Sequence, residues 1–219
     1  MQRALAVAAT LVSLAFAMST FERWLRGHRR HELAWSVALG LFCIASGCLA
    51  AGAGLGWNSL SFRLFFFFGA IANVPVLALG TIYLLGGEPR GNQAAAAIAL
   101  FCAFGAGVMA VAPLTGPIPH RELAQASTVF GQLPRVLAGV GSGGGALVVV
   151  GGAILSAVRR PNRRMIVANV LIALGTGITG ASGVLNSALG AMEAFSITLV
   201  LGISVLFVGF LVATGTRRP

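Results

Sequence analysis

Hydrophobic runs separated by short polar connections dominate the chain. Seven runs, each of about twenty residues, lie at about 3–21, 33–55, 60–85, 93–113, 136–158, 165–187 and 191–213. An α-helix rises about 1.5 Å per residue, so about twenty apolar residues cross the roughly 30 Å of bilayer hydrocarbon. The pattern predicts an all-α polytopic membrane protein with a single seven-helix transmembrane domain over residues 1–219.

The arginines predict the orientation of these segments. One set of connections, together with the C-terminal tail, holds eleven of them: Arg23, Arg26, Arg29, Arg30, Arg90, Arg159, Arg160, Arg163, Arg164, Arg217 and Arg218. The other set holds four: Arg3, Arg63, Arg121 and Arg135. Basic residues concentrate in the cytoplasmic connections of membrane proteins. We therefore predict that the N-terminus lies outside the cytoplasm and the C-terminus inside it.

The composition is typical of an integral membrane protein. Hydrophobic residues make up 57% of it, charged residues 9%, and the mean hydropathy is +0.91. The net charge of +10 arises from 15 basic residues, all Arg, and 5 acids, all Glu. Arginines at segment ends bind anionic lipid headgroups, so we predict membrane lipids as partners and no nucleic acid. Arg without Lys, with abundant Ala, Gly and Val, indicates a GC-rich bacterium and hence the bacterial cytoplasmic (inner) membrane.

The first hydrophobic run also resembles a secretory signal peptide. Residues 1–17 have a basic start, an apolar stretch and an Ala-Phe-Ala ending typical of a cleavage site. Cleavage would place the arginine-rich connection at 21–32 outside the cytoplasm, against the usual distribution of basic residues. We therefore expect this run to be the first membrane helix.

Several cofactors are incompatible with these residues. Covalent retinal needs a Lys, which the chain lacks, and a bis-His haem needs His inside the bundle. His28 and His31 lie in the arginine-rich connection, and His120 lies in the longest loop. Neighbouring arginines would repel a zinc ion from His28 and His31. The prediction is no cofactor, no metal and no catalytic residue.

A polar residue and a proline interrupt the third segment near its middle. Asn73 lies two residues before Pro75, which removes a backbone donor and leaves a carbonyl free. Asn73 and Pro75 are therefore candidates for a ligand-binding point or a hinge. The alternative is that Asn73 forms an interhelical hydrogen bond of about 1 kcal/mol.

Further polar candidates lie on the sixth and seventh segments. Glu193 is the acid inside a predicted segment, and Arg63 begins the third segment on the same predicted side. We expect an ion pair between them if those helices meet; the alternative is proton or cation binding by Glu193. The sixth segment carries a polar stripe of Thr176, Thr179, Ser182 and Asn186. This stripe either faces Glu193 or bonds back to its own backbone.

Glycines and tryptophans have structural explanations. Residues 139–144 satisfy the GxGxxG pattern, but within an apolar helix this favours close packing over nucleotide binding. The small-xxx-small spacing occurs, among others, at Gly141 and Gly145, Gly52 and Gly56, and Thr176 and Gly180. Trp24, Trp35 and Trp57 lie at segment ends, which predicts interfacial aromatic belts.

Two further patterns concern the longest connection and a possible internal repeat. The longest connection, about 114–135, is expected to be a plain connector. The alternative is a short amphipathic helix over 120–130 that caps a cavity. The stretches ANVPVLALGT at 72–81 and ANVLIALGT at 168–176 suggest an inverted repeat. Their residues are common in membrane helices, so we attribute this match to chance.

One resemblance adds a fold expectation. The stretches that carry it are WSVAL at 35–39, GW at 56–57, Arg63, GAIANVP at 69–75, LALGTIYLL at 77–85, NVLIALGT at 169–176 and GFLVA at 209–213. Together they resemble a family of actinobacterial seven-helix membrane proteins with no established activity. The resemblance implies a seven-helix fold and no catalytic residue.

Three functions fit these features. The preferred one is a non-enzymatic bundle that binds or transports a small molecule or lipid, as indicated by Asn73, Pro75 and the polar stripe. The alternative is a sensor or an accessory subunit with a protein partner in a larger membrane complex. The third is an intramembrane lipid-modifying enzyme, although no nucleophile with a nearby base supports it.

Overall fold

A computed structural model describes residues 2–118, 125–159, 163–189 and 192–214. The helices are α1 Gln2–Gly27, α2 Arg30–Leu55, α3 Ser59–Phe66, a π-helical turn Phe67–Ala72, α4 Asn73–Val111, α5 Ala126–Val129, α6 Gln132–Arg159, α7 Arg163–Leu189 and α8 Met192–Thr214. Across these described ranges no strand occurs, and the all-α prediction is confirmed.

Helix α4 consists of two antiparallel arms. Gly87 has φ 77° and ψ 178°, outside the helical region, and separates residues 73–86 from residues 88–111. Tyr83 in the first arm donates a hydrogen bond to Asn92 Oδ1 in the second at 2.9 Å. The chain from α3 to the end of the first arm forms the third predicted segment, and the second arm forms the fourth.

Four described stretches are long and apolar enough to cross a membrane: Arg3–Gly27, Arg30–Leu55, Ser59–Val111 and Gln132–Val158. Ser59–Val111 has 53 residues and folds back at Gly87, so it contains two predicted segments. Two shorter apolar stretches, Ile166–Gly180 and Ile197–Val212, lie in α7 and α8. Helices thus occupy the positions of all seven predicted hydrophobic runs.

Six helical segments pack side by side in a closed ring. Its order is α1, α2, the first arm of α4, α6, α7 and α8, with α8 returning to α1. The buried hydrophobic side chains of the described part of α8 are spaced three or four residues apart and share one face: Phe195, Leu199, Ile203, Leu206 and Phe210. Phe16 of α1 and Trp35 of α2 contact Phe210, with ring centroids 5.2 and 4.6 Å away. The second arm lies outside this ring, where Leu100 is 73% exposed.

Two predicted connections are wrong in extent because they are largely helical. α1 continues to Gly27 and α2 begins at Arg30, so that only His28 and Arg29 connect them. The second arm of α4 begins directly after Gly87, and not near residue 93. Charged residues can continue a helix into the headgroup region while their side chains reach water. Hydropathy therefore locates the lipid core and not the end of each helix.

The short connections at one end of the bundle carry most of the described arginines, and we call this the arginine-rich end. There, Arg30 lies 3.4 Å from Glu88 beside the Gly87 turn. Arg164 Nε donates to the Val212 carbonyl at 2.7 Å, which brings the start of α7 beside the end of α8. The other end, where α2 leads into α3, is called the opposite end below.

Candidate functional site

A π-helical turn interrupts the middle of the third predicted segment. It spans Phe67–Ala72, and α4 begins at Asn73 directly after it. Pro75 explains the interruption because it has no N–H to donate to the carbonyl of Ile71, four residues earlier. Turns of this kind are rare and frequently lie at functional sites. The structure therefore places Asn73 and Pro75 at a real break in the helical hydrogen bonds.

Helix α6 binds the interrupted backbone. Ser142 Oγ donates to the Ala70 carbonyl at 2.6 Å. A Cβ atom on Gly141 or Gly145 would lie only 2.6 or 2.8 Å from backbone atoms of the π-turn and α4. The packing interpretation of these two glycines is confirmed. Ser142 was missed by sequence analysis because a serine in a glycine-rich run gives no indication of its partner.

The other two small-residue pairs do not mark helix crossings. Gly52 lies under an indole ring, and Gly56, with φ 97°, ends α2. Gly180 meets nothing within 4 Å among the described atoms. Helix α7 instead meets α8 through Gly175 and Gly202, where a Cβ would contact the facing backbone. Spacing alone therefore did not identify which small residues lie in the α7–α8 contact.

The Asn73 side chain is half-buried, and it has no hydrogen-bond partner among the described residues. Asn73, Leu77, Gly80 and Leu84 are spaced four, three and four residues apart, so they share one face of the first arm. Gly80 on this face contacts Trp35 of α2, and α6 packs on the adjacent face. The face that carries Asn73 therefore lies between α2 and α6 and points into the ring.

The polar stripe of the sixth predicted segment is only partly described. Thr176 is buried, and its hydroxyl donates to the Ile172 carbonyl of its own helix at 2.8 Å. Thr179 donates to the Gly175 and Thr176 carbonyls at 3.0 and 2.9 Å. Both threonines thus follow the backbone-bonding alternative. The side chains of Ser182 and Asn186 lie outside the described residues.

Arg63 binds the end of the second arm of α4. Its Nη1 donates to the Met109 carbonyl, its Nη2 to the Ala112 carbonyl at 2.7 Å, and its Nε to Ser59 Oγ at 3.1 Å. A cation is favourable at the C-terminus of a helix, where unpaired carbonyls carry partial negative charge. The Glu193 side chain lies outside the described residues, so its pairing with Arg63 stays a prediction.

The interfacial interpretation of Trp35 and Trp57 is wrong. Their exposed fractions are only 6% and 7%, and their indole rings pack inside the bundle against Gly80 and Gly52. Trp24, at the arginine-rich end, is half-buried. Position along a helix sets the depth of a side chain, whereas its rotation about the helix axis decides whether it faces lipid or protein.

Buried hydrogen-bond donors without a partner occur in the described interior. They include Trp35 Nε1, Trp57 Nε1 and Asn169 Nδ2. Leaving a buried donor unpaired costs about 1–3 kcal/mol, so such groups normally bind water or a ligand oxygen. Trp35 and Asn169 lie in the half of the bundle near the arginine-rich end. Asn169, which is 7% exposed, was not among the residues that the sequence marked as functional.

The loop before α6 is anchored in the opposite end of the bundle. Phe130 is 1% exposed and stacks on Phe62 of α3, with ring centroids 5.4 Å apart. We expected a plain connector here, with a helix over 120–130 as the alternative, and within the described residues of that range Ala126–Val129 forms one helical turn. Residues 119–124, which include His120, lie outside the described residues. The described part of the loop thus packs into the end of the bundle.

Neither a metal centre nor a known family explains these features. Within the described ranges, no three His, Cys, Asp or Glu residues are grouped to hold a metal ion. No protein-family model matches the chain, and no curated protein or solved structure matches it. The resemblance to actinobacterial seven-helix proteins stays a prediction.

Proposed function

We propose that this protein is a non-enzymatic membrane bundle that binds or transports a small molecule or lipid beside the π-turn. The observation that carries the proposal is the Asn73 amide, which faces into the ring and has no hydrogen-bond partner in the described part of the chain. Interrupted helices provide binding sites in transporters because polar groups at the break are available to a ligand. Ser142 binds the Ala70 carbonyl at the same break, whereas no described residue forms a hydrogen bond with the Asn73 amide.

We also propose how the helices are oriented in the membrane. Seven helices cross the bacterial inner membrane, with the N-terminus outside and the arginine-rich end in the cytoplasm. Support comes from the exposed apolar surface of the described helices and from the grouping of arginines at one end. Anionic lipids and the positive-inside rule both favour this orientation.

Cysteine labelling tests the orientation. In a variant whose three cysteines are replaced by Ala (Cys43, Cys48 and Cys102), single cysteines are introduced as Arg135→Cys and Arg29→Cys. Both positions are exposed, at opposite ends of the bundle. A membrane-impermeant maleimide added to intact spheroplasts is expected to label Arg135→Cys but to reach Arg29→Cys only after lysis. The reverse pattern would show that the orientation is inverted.

Native mass spectrometry of the full-length protein in mild detergent tests ligand binding. We expect the wild type to retain a non-covalent small-molecule or lipid adduct, and the Asn73→Leu variant to lose most of it. One hydrogen bond contributes about 0.5–1.5 kcal/mol, so the bound fraction should fall about fivefold. Leu preserves the approximate volume of Asn73 while removing its donor and acceptor.

Gln93→Leu is the matched control for this experiment. It also replaces an amide by Leu, but Gln93 is exposed on the second arm, outside the ring. We expect this variant to keep the adduct at the wild-type level. A wild type that carries no adduct, or an adduct equally retained by Asn73→Leu, would contradict the proposed function.

A further inference from the structure

Pro75 affects the hydrogen bonds of two successive carbonyls. In a regular α-helix a carbonyl accepts from the N–H four residues later, which for Ile71 is position 75. In a π-helical turn it accepts from the N–H five residues later, which for Ala70 is again position 75. The π-turn spans Phe67–Ala72, so the pattern changes close to these two residues. Because proline has no N–H, the π pattern leaves Ala70 without its donor and the α pattern leaves Ile71 without its donor.

Both of these carbonyls face α6. Ser142 Oγ donates to the Ala70 carbonyl at 2.6 Å. The Ile71 carbonyl oxygen lies beside Gly141, 2.6 Å from the position that a Cβ atom there would occupy. Because Gly141 has no side chain, α6 can approach the π-turn closely at this point. This approach brings the neighbouring Ser142 hydroxyl within reach of the carbonyl that the π pattern leaves free.

The hydrogen bond of Ser142 differs from those of several other hydroxyls on the described helices. Thr10, Ser46 and Thr176 each donate to the carbonyl four residues earlier in their own helix. The backbone N–H of the same residue normally pairs with that carbonyl, so the hydroxyl is only a second donor. Ser142 instead donates to a different helix, and it does so at a carbonyl whose backbone donor is missing.

We infer that Ser142 replaces the N–H that Pro75 lacks and thereby holds the π-turn directly before Asn73. Ser142 is a positioning residue, because it acts on the backbone that carries Asn73 and not on a ligand. The inference goes beyond the proposed function, since the donor is missing whether or not a ligand binds at Asn73. It predicts that the Ser142 hydroxyl becomes dispensable once position 75 has an N–H.

A double-mutant cycle between Ser142 and Pro75 tests the inference. Full-length protein is unfolded chemically in detergent, and the unfolding equilibrium constant is measured for the wild type, Ser142→Ala, Pro75→Ala and the double variant. Leaving a buried carbonyl without a donor is unfavourable, so Ser142→Ala should raise this constant about tenfold when position 75 is proline. In the Pro75→Ala background the restored N–H can donate instead, and Ser142→Ala should change the constant by less than about twofold.

Ser36→Ala is the matched control for the cycle. Ser36 is also buried and also donates across helices, to the Ala17 carbonyl of α1 at 3.0 Å. That carbonyl lies inside α1, where the N–H of Phe21 is its helical donor. The effect of Ser36→Ala should therefore be the same with and without Pro75→Ala.

Ser142→Cys distinguishes the hydrogen bond from packing. Cysteine has nearly the shape of serine, but its S–H is a weak donor. This variant should therefore be destabilised like Ser142→Ala. An equal effect of Ser142→Ala in both backgrounds, or a wild-type unfolding constant for Ser142→Cys, would overturn the inference. Neither result would contradict the proposed function, which the adduct experiment with Asn73→Leu tests separately.

Discussion

Replacing Gly141 by Leu is expected to lower the melting temperature of the purified protein by about 10 °C. A side chain there would meet the Ile71 carbonyl oxygen, 2.6 Å from the new Cβ. Because the contact is with backbone, α6 must move away from the π-turn, which costs about 3 kcal/mol. The Ser142 hydrogen bond to Ala70 would be lost with it. Thermal unfolding in detergent, followed by circular dichroism, measures the effect.

Gly143→Leu is the control for this result. Gly143 lies two residues along the same helix, but a Cβ there meets nothing within 4 Å in the described structure. Leu also favours helix over Gly by about 0.8 kcal/mol, so this variant should melt at or slightly above the wild-type temperature. Similar melting temperatures for Gly141→Leu and Gly143→Leu would show that the close approach of α6 to the π-turn does not exist.

Removing the Arg63 side chain is expected to cause a loss of similar size. Arg63→Ala leaves the Met109 and Ala112 carbonyls without their donors at the end of the second arm. Hydrogen bonds from charged groups contribute about 1.5–3 kcal/mol each, so we expect a destabilisation of about 3 kcal/mol. Arg63→Lys should recover part of it, since Lys keeps the charge but lacks the planar set of donors. Chemical unfolding in detergent measures these differences.

Arg135→Ala provides the comparison for Arg63. Arg135 lies at the same end of the bundle and has the same charge, but it is exposed and has no hydrogen bond or ion pair in the described structure. Its replacement should change stability by less than about 0.5 kcal/mol. Equal effects at the two positions would mean that net charge at this end matters and that binding of the helix terminus by Arg63 does not.

The helical character of the chain was predictable because lipid imposes it. Backbone groups cannot remain unpaired in hydrocarbon, so each long apolar run must satisfy its own hydrogen bonds as a helix. The effect of Pro75 was also predictable, because its missing N–H interrupts the helical hydrogen bonds whichever residues surround the helix. The break beside Asn73 followed from these two facts, and the structure adds that it takes the form of a π-turn.

The partners of the candidate residues were much less predictable. The sequence indicates that the Arg63 charge needs a partner, but it does not indicate the carbonyls of Met109 and Ala112 at a helix end, groups of a kind that every residue has. Ser142 likewise bonds a backbone carbonyl. Side-chain chemistry indicates which groups need partners. It does not indicate which of many equivalent backbone groups will be near.

By itself, the sequence determined the helical class of this protein, the position of its hydrophobic segments and the place where one of them is interrupted. The tertiary structure alone decided which side of each helix faces the ring. Hydrophobicity is nearly uniform around α2, so nothing in its pattern distinguishes the buried Trp35 from a residue facing lipid. Rotation about each helix axis is set by close contacts such as Gly80 with Trp35, and these depend on residues far apart in the chain.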